Sequence, residues 1–310
     1  MKRRVAQQGP NTLGVSLPSK WVKSHSIKKG DEIDVLESGA NLIVGSTKEP
    51  VSEAIIHIPT KDMPLDKEKN PDRYIIRTIV INALRKGHNR IKVTFESNKI
   101  LPQINNCVDE VLGYEITEQS STGCVIESIV NLINTDFTKQ LTKFRHVISN
   151  FSNLVYNNIV GNEKNFEEIK STFLMLEKNY NTLCRFLMSD CHNQTKEKMF
   201  LFLAVNHLYE GARNMFYASQ ILNNSNIKLG KQGLRYAKDV FEYVNDVIGF
   251  VASKDIKEVS DLNIRKNKLV YHEVNKIISK NSKENPIILQ LCFVARRMWD
   301  SVGLYLGSII

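Results

Sequence analysis

From Asp136 to the C-terminus the apolar residues keep a helical step, and this periodicity constrains the fold more than any other feature of the chain. Phe137, Leu141, Phe144, Ile148, Phe151 and Val155 recur every three or four residues. Phe166, Ile169, Phe173, Leu176, Tyr180, Leu183 and Leu187 repeat the pattern, as do Leu201, Val205, Leu208, Ala212, Met215, Ser219 and Leu222. Breaks fall at Gly161-Asn162, at Asp190 to Thr195 and at Asn223 to Gly230. Three more helices are expected over about Lys231 to Ser253, Asp255 to Ser279 and Pro286 to Ile310. In the last, Ile288, Leu291, Ala295, Met298, Val302, Tyr305 and Ile309 keep the step. Stripes of this width, joined by short loops, bury themselves only against other helices, so an antiparallel bundle is predicted. The aromatic residues in the stripes read as core, not as a cofactor box.

Upstream the period shortens. Ala54 to Ile58 suggests a strand, followed by a Pro- and Lys-rich loop from Pro59 to Pro71. Arg73 to Lys86 suggests a helix with Ile76, Ile79, Val80 and Ala83 on one face, ended by Gly87. Arg90 to Glu96 alternates Ile91, Val93 and Phe95 as a strand does. Ile100 to Leu112 reads as a second helix stopped by Gly113. Tyr114 to Glu118 and Cys124 to Val130 read as two strands joined across Ser120-Ser121-Thr122-Gly123. The expectation is a small α+β layer with a structural or dimerising role.

The first 45 residues are different again. Val5 to Gln8 can form a strand, and Gly9-Pro10-Asn11 is a turn. From Thr12, Leu13, Val15 and Leu17 alternate with polar or small residues, the period of a half-buried strand. Pro18 suits the first turn of a short helix from Ser19 to about His25. Lys29-Gly30-Asp31 turns into a strand with Ile33 and Val35, and Ser38-Gly39-Ala40-Asn41 turns into Leu42-Ile43-Val44. So short a set of strands is too small to bury a core alone, and a second copy is expected to complete it. Its charge is one-sided. Residues 1–30 contain Lys2, Arg3, Arg4, Lys20, Lys23, Lys28 and Lys29 and no acid, whereas the next seven residues contain Asp31, Glu32, Asp34 and Glu37. The net charge of +9 favours polyanionic partners in the same sense.

The segment MKRRVAQQGPNTLGVSLPSKWVKSHSIKKGDEIDVLESGANLIV resembles the SpoVT-AbrB family of swapped-hairpin DNA-binding domains. Ser16 to Val22 followed by Ile27 to Ile33 looks like the form carried by archaeal phosphate uptake regulators of the PhoU family. The resemblance implies an α+β multidomain chain. A dimeric swapped-hairpin β barrel spans residues 1–47, a small α+β domain 51–133, and a PhoU-like antiparallel bundle of two three-helix repeats 135–310. It also implies that two chains interleave their hairpins and present basic residues to double-stranded DNA. Arg3, Arg4, Lys20 and Lys23 are then expected at phosphates, and Gln7, Gln8 and Asn11 at base edges or in fixing register. Trp21 is expected to pack the short helix on the barrel.

PhoU-family bundles often carry ExxxD-type pairs that bind metal clusters, since carboxylates four apart on a helix converge. The matching positions here are Glu177 and Asn181, Asn206 and Glu210, Asp261 and Arg265, and Arg296 and Asp300. Two are amides and two are arginines. An arginine at a cation site is repulsive, so exposed or interhelical salt links are expected in place of metal. His207 precedes Glu210 by three, with no third ligand evident. The sequence carries no Gly-rich phosphate loop, nucleophile elbow, HExxH or CxxC. Cys107, Cys124, Cys184, Cys191 and Cys292 read as free thiols in a reducing cytoplasm. No apolar run approaches a membrane span, and the basic N-terminal stretch lacks the apolar segment of a secretory signal.

No enzyme, cofactor or metal is expected. The expected function is a cytoplasmic, homodimeric or larger DNA-binding regulator of phosphate uptake, whose bundle senses a signal or a partner. The alternative is a PhoU-like interaction module acting on a phosphate transporter component or a kinase, with the N-terminal unit only a dimeriser. Neither involves membrane insertion.

Overall fold

The computed structural model describes residues 2–38, 41–46, 52–59, 72–130, 137–161, 163–189, 196–225, 227–278 and 282–310. Most of the expected Pro59–Pro71 loop, the break at Asp190 to Thr195 and Cys191 lie outside them. The chain forms two compact units, Met1–Ala54 and Ile55–Ile310.

The first unit is strand-rich. Strand β1 (Val5–Gly9) pairs antiparallel with β2 (Thr12–Val15), with Val5 opposite Val15 and Gln7 opposite Leu13. Helix α1 (Ser19–Ser24) follows, with Pro18 as its N-cap. Strands β3 (Ile33–Ser38) and β4 (Asn41–Ser46) form a second antiparallel pair. The two pairs are separate two-stranded sheets. The expected strand from Thr12 to Leu17 stops at Val15, ahead of Pro18, which has no N–H for a ladder. Its alternation is present but not half-buried: Leu13 is 71% and Val15 56% exposed. Not one described side chain of residues 2–54 is buried.

The second unit opens with an α+β layer. Strands β5 (Glu53–Ile58), β6 (Arg90–Phe95), β7 (Tyr114–Gln119) and β8 (Gly123–Ser128) form a sheet in the order β5-β6-β8-β7. In β6, Ile91, Val93 and Phe95 are buried, as their alternation predicts. Helix α2 (Asp72–Arg85) buries Ile76, Val80, Ile81 and Leu84. The expected face had Ile79 and Ala83, which are only half-buried; the buried face is rotated past them to Ile81 and Leu84. Helix α3 (Leu101–Asp109) is shorter than expected. A 3-10 turn at Asn98–Ile100 leads into it, and the chain leaves it before Gly113, whose φ of 82° is left-handed.

The rest is helical: α4 (Phe137–Ile159), α5 (Phe166–Ser189), α6 (Lys196–Asn224), α7 (Lys231–Ser253), α8 (Glu258–Asn267), α9 (Val274–Ile277) and α10 (Asn285–Gly307). A π-helical segment, Lys268–Glu273, makes α8 and α9 one continuous rod, and the Tyr236 hydroxyl donates to the Leu269 carbonyl inside it at 3.3 Å. Phe144, Phe151, Leu176, Ala212, Met298 and Val302 are completely buried, so the stripes are core. Phe173 stacks on Phe216 with centroids 4.5 Å apart, and Tyr180 on Tyr209 at 4.0 Å. Cys107, Cys124 and Cys184 are buried free thiols, while Cys292 is half-buried.

A polar seam joins the α+β layer to α5. Its apolar stripe faces the bundle, and Glu177, Asn181 and Arg185, at i, i+4 and i+8, face the layer. Arg77 of α2 forks onto Glu110 at 3.2 and 2.5 Å and reaches Glu177 at 3.3 Å. Burial alone would lower the Arg77 pKa, but the bond to Glu110 and the charges of Glu177 and Glu110 outweigh it and raise it. Arg85 donates to Asn181 Oδ1 at 2.6 and 2.9 Å, and Asn181 Nδ2 donates to the Glu110 carbonyl at 3.1 Å. Arg185, 2% exposed, donates to the Leu112 carbonyl at 2.5 Å and to Ser128 Oγ at 2.6 Å, and lies 3.9 Å over the Tyr114 ring. A Cβ on Gly113 would stand 2.9 Å from this guanidinium, so the glycine also makes room for the clamp.

Candidate nucleic-acid interface

The register of β1 and β2 assigns each candidate to a face. Val5, Gln7, Leu13 and Val15 share one, and Ala6 and Gly14 the other. A bulge between Gln7 and Gly9 lets the Gln8 side chain lie over Gly14, where a Cβ would meet its amide at 2.8 Å. Gln7 therefore sits among apolar residues, its Nε2 donating to the Gly9 carbonyl at 3.3 Å, while Gln8 lies across the hairpin backbone. The two glutamines, expected in the same role at base edges or register, thus differ in setting. Arg3 reaches Ser16 Oγ at 3.4 Å, which ties the chain's start to the end of β2. Asn11 is exposed in the turn between the strands.

Helix α1 is short and carefully terminated. Ser26, at φ 52°, is left-handed, Ser26 N–H donates to Lys23 O at 3.2 Å, and Ile27 N–H donates to Val22 O at 3.0 Å. These two bonds make a Schellman-type stop, with Ile27 placed to cover Val22. Lys20 and Lys23, three apart, are both exposed. Trp21 is half-buried and its ring lies 4.9 Å from that of His25, so its described packing is on its own helix end. The next turn is fixed by Lys28 N–H on Asp31 Oδ2 at 2.9 Å, with Gly30 at φ 94°. All seven candidates, Arg3, Arg4, Gln7, Gln8, Asn11, Lys20 and Lys23, are exposed. Among the described residues no carboxylate pairs with the four basic ones. Exposed basic side chains without a paired carboxylate are what phosphate contacts require.

Six of the eight positions matched to metal pairs are engaged otherwise. Glu177 accepts from Arg77 and, at 2.6 Å, from the Tyr209 hydroxyl. Asn181 is fully buried in the seam, and Asn206 accepts from the Tyr180 hydroxyl at 2.7 Å. Glu210 pairs with Arg213 at 2.8 Å, Arg265 with Asp246, and Asp300 with Arg297 at 3.6 Å. Exposed or interhelical salt links were expected at these positions. Glu177 fits that, in an ion pair with Arg77 of α2, and Asn181 departs from it: a fully buried amide, it helps dock α5 on the α+β layer. A polar stripe at i, i+4, i+8 opposite the apolar stripe of the same helix was the available signal. Among the described residues no group of three or more His, Cys, Asp or Glu side chains could hold a metal ion. Among the described residues, no helix is long and apolar enough to cross a membrane.

Residues 6–54 match the family model described as Antidote-toxin recognition MazE, bacterial antitoxin. No curated protein and no solved structure matches the chain. The N-terminal unit is thus a MazE/AbrB-like domain, joined to a second unit that ends in a large helical region.

Proposed function

We propose that the chain is a DNA-binding transcriptional regulator that works as a homodimer, with the first unit of two copies interleaved into one swapped-hairpin barrel. The observation that carries this reading is the absence of any buried described residue in 2–54, beside an apolar face made of Val5, Leu13 and Val15. An apolar strand face without a cover is completed by a second copy of itself more economically than by any other partner. Pairing brings two acid-free basic stretches into one surface. Arg3, Arg4, Lys20 and Lys23 then contact phosphates, while Gln8 and Asn11 sit where they can touch base edges.

The resemblance to PhoU-type phosphate uptake regulators supports a finer reading: control of phosphate homeostasis, with the helical region as sensor or partner-binding module. Six long helical stretches in two sets of three are what that resemblance implies. The metal-pair positions depart from it, so the sensing chemistry is not the cation chemistry of that family. A module acting on a transporter component, with the first unit only a dimeriser, is the competing reading.

A salt titration of binding to genomic DNA fragments tests the DNA reading. For Arg3→Gln/Arg4→Gln the slope of log affinity against log salt becomes shallower by about 0.9 per lost phosphate contact, and affinity at moderate salt falls about tenfold or more. Thermal stability barely moves, because both side chains are exposed. Equal slopes for the two proteins would remove this surface from a DNA interface.

A further inference from the structure

The arginines of the second unit single out one side chain. Eight described ones are buried or half-buried. Arg77, Arg90, Arg213, Arg265 and Arg297 pair with carboxylates. Arg85 and Arg185 donate to amide, hydroxyl or carbonyl oxygens. Arg145 has no acceptor among the described residues, and its Nε is buried and unpartnered. Its charge is felt by the Tyr305 hydroxyl, whose pKa burial raises and Arg145 pulls back. A half-buried guanidinium without a counter-charge forfeits interactions that every comparable arginine in this unit makes.

Arg145 lines a groove of about 430 Å³ between α4 and α7. From α4 the groove takes Arg145, His146, Ser149 and Asn153. From α7 it takes Asn245, over an apolar floor that includes Ile248 and Gly249. No carboxylate lines it, and α4 contains neither Asp nor Glu. The acids of α7, Asp239, Glu242 and Asp246, line a different groove with Arg265 and Lys268. The lining thus offers five donor side chains, one of them a cation that no described carboxylate compensates, beside a flat apolar surface. A carboxylate has two oxygens to satisfy five donors, whereas a phosphoryl group presents three and carries more charge. The volume lies within the range of small-molecule sites.

We propose that the α4–α7 groove binds the phosphoryl group of a small phosphorylated metabolite, with Arg145 as its counter-charge and the organic body on the Ile248–Gly249 floor. The shared chemistry is a tetrahedral oxyanion at Arg145, and free inorganic phosphate is its other source. The site stands on the second unit alone, so it survives or fails independently of DNA binding.

Isothermal titration of the full chain with AMP, inorganic phosphate and sulfate tests it. Saturable binding is expected for AMP, weaker binding for the free oxyanions, and a loss of at least about tenfold for Arg145→Gln. Gly249→Leu is the second variant. Nothing lies within 4 Å of a Cβ at Gly249, and replacing a helical glycine favours the helix, so the fold is kept while the floor is filled. It should abolish AMP binding and leave inorganic phosphate binding nearly unchanged. Phosphate binding lost in Arg145→Gln, without AMP binding, identifies the free oxyanion as the source. No saturable binding of any probe at about 10 mM overturns the proposal, as does an Arg145→Gln chain that binds like wild type.

Discussion

The two units carry equally regular apolar patterns and bury them to opposite extents. Leu13, on a strand with a clean alternation, is 71% exposed, whereas Phe144 and Ile148, on a helical stripe, are fully buried. The difference is one of self-sufficiency. Helices of 23 to 29 residues such as α4 and α6 present stripes long enough to cover one another within one chain. Strands of four to six residues in separate pairs have no such partner. Periodicity states which face is apolar; it does not state whether the cover comes from the same molecule.

That comparison breaks most sharply at Leu13. If a second copy covers the face, Leu13→Asp buries an unpaired carboxylate in the contact and the two chains separate. Sedimentation then reports a monomer, and hydrogen exchange shows amide protection lost from β1 to β4 together while α4 to α10 keep theirs. A face that is free in solution gives the other result: an exposed Leu→Asp change stays within about 0.5 kcal/mol and no protection moves. The second outcome would leave the first unit without any core.

The second unit has its own dependence on something other than apolar packing. Arg185→Ala removes the donor to Leu112 O and Ser128 Oγ and leaves a void under Tyr114. A loss of about 2–4 kcal/mol in urea unfolding is expected, because a buried carbonyl and a cavity are both left behind. A neutral or stabilising result would mean that burying the guanidinium costs more than its bonds return, as happens for some buried charges. The comparison would then sharpen: the second unit would be held by its apolar stripes alone.

What was legible in the sequence follows the same division. The six helical stretches, the strand at Ile91, Val93 and Phe95, and the stop at Gly87 were readable because each is local or periodic. The hairpin at Gly9-Pro10-Asn11 and its partner strands were readable from turn chemistry. The clamp of Arg77, Arg85 and Arg185 was not, since it joins residues 33 to 100 positions apart with no local signature. At the positions aligned with metal pairs, the salt link of Glu177 was legible in kind but not in partner: Glu177 and Asn181 converge on Arg77 and Arg85 of α2, far away in sequence. The π-helical segment at Lys268–Glu273 was read as ordinary helix, because its apolar residues Leu269 and Val270 fit either winding. Arg145 escaped notice because an unpaired charge is visible only when every neighbour is known.

The smallest expected effect is a pH dependence confined to the second unit. His207 lies between α6 and α10, its Nδ1 3.3 Å from Arg297 Nη1 and 3.9 Å from Asp300 Oδ2. Burial first, then the charge of Arg297, hold its pKa below the ordinary 6.5, while Asp300 and Glu210 pull the other way. His88 is lowered too, by burial and then by Lys86. In both cases the unfolded chain takes up the proton before the folded one does. Stability is therefore fully present above about pH 6.5 and declines as pH falls through that value, by less than about 1 kcal/mol for His207, which is partly solvated. Urea midpoints at pH 7.5 and 5.5 measure the decline, and His207→Gln should flatten it without lowering the midpoint at pH 7.5 by much. A midpoint that rises on acidification would mean that the imidazolium pairs with Asp300 more strongly than Arg297 repels it. The salt link at 3.9 Å would then be a real contact, and His207 would bind α6 to α10 more tightly in acid.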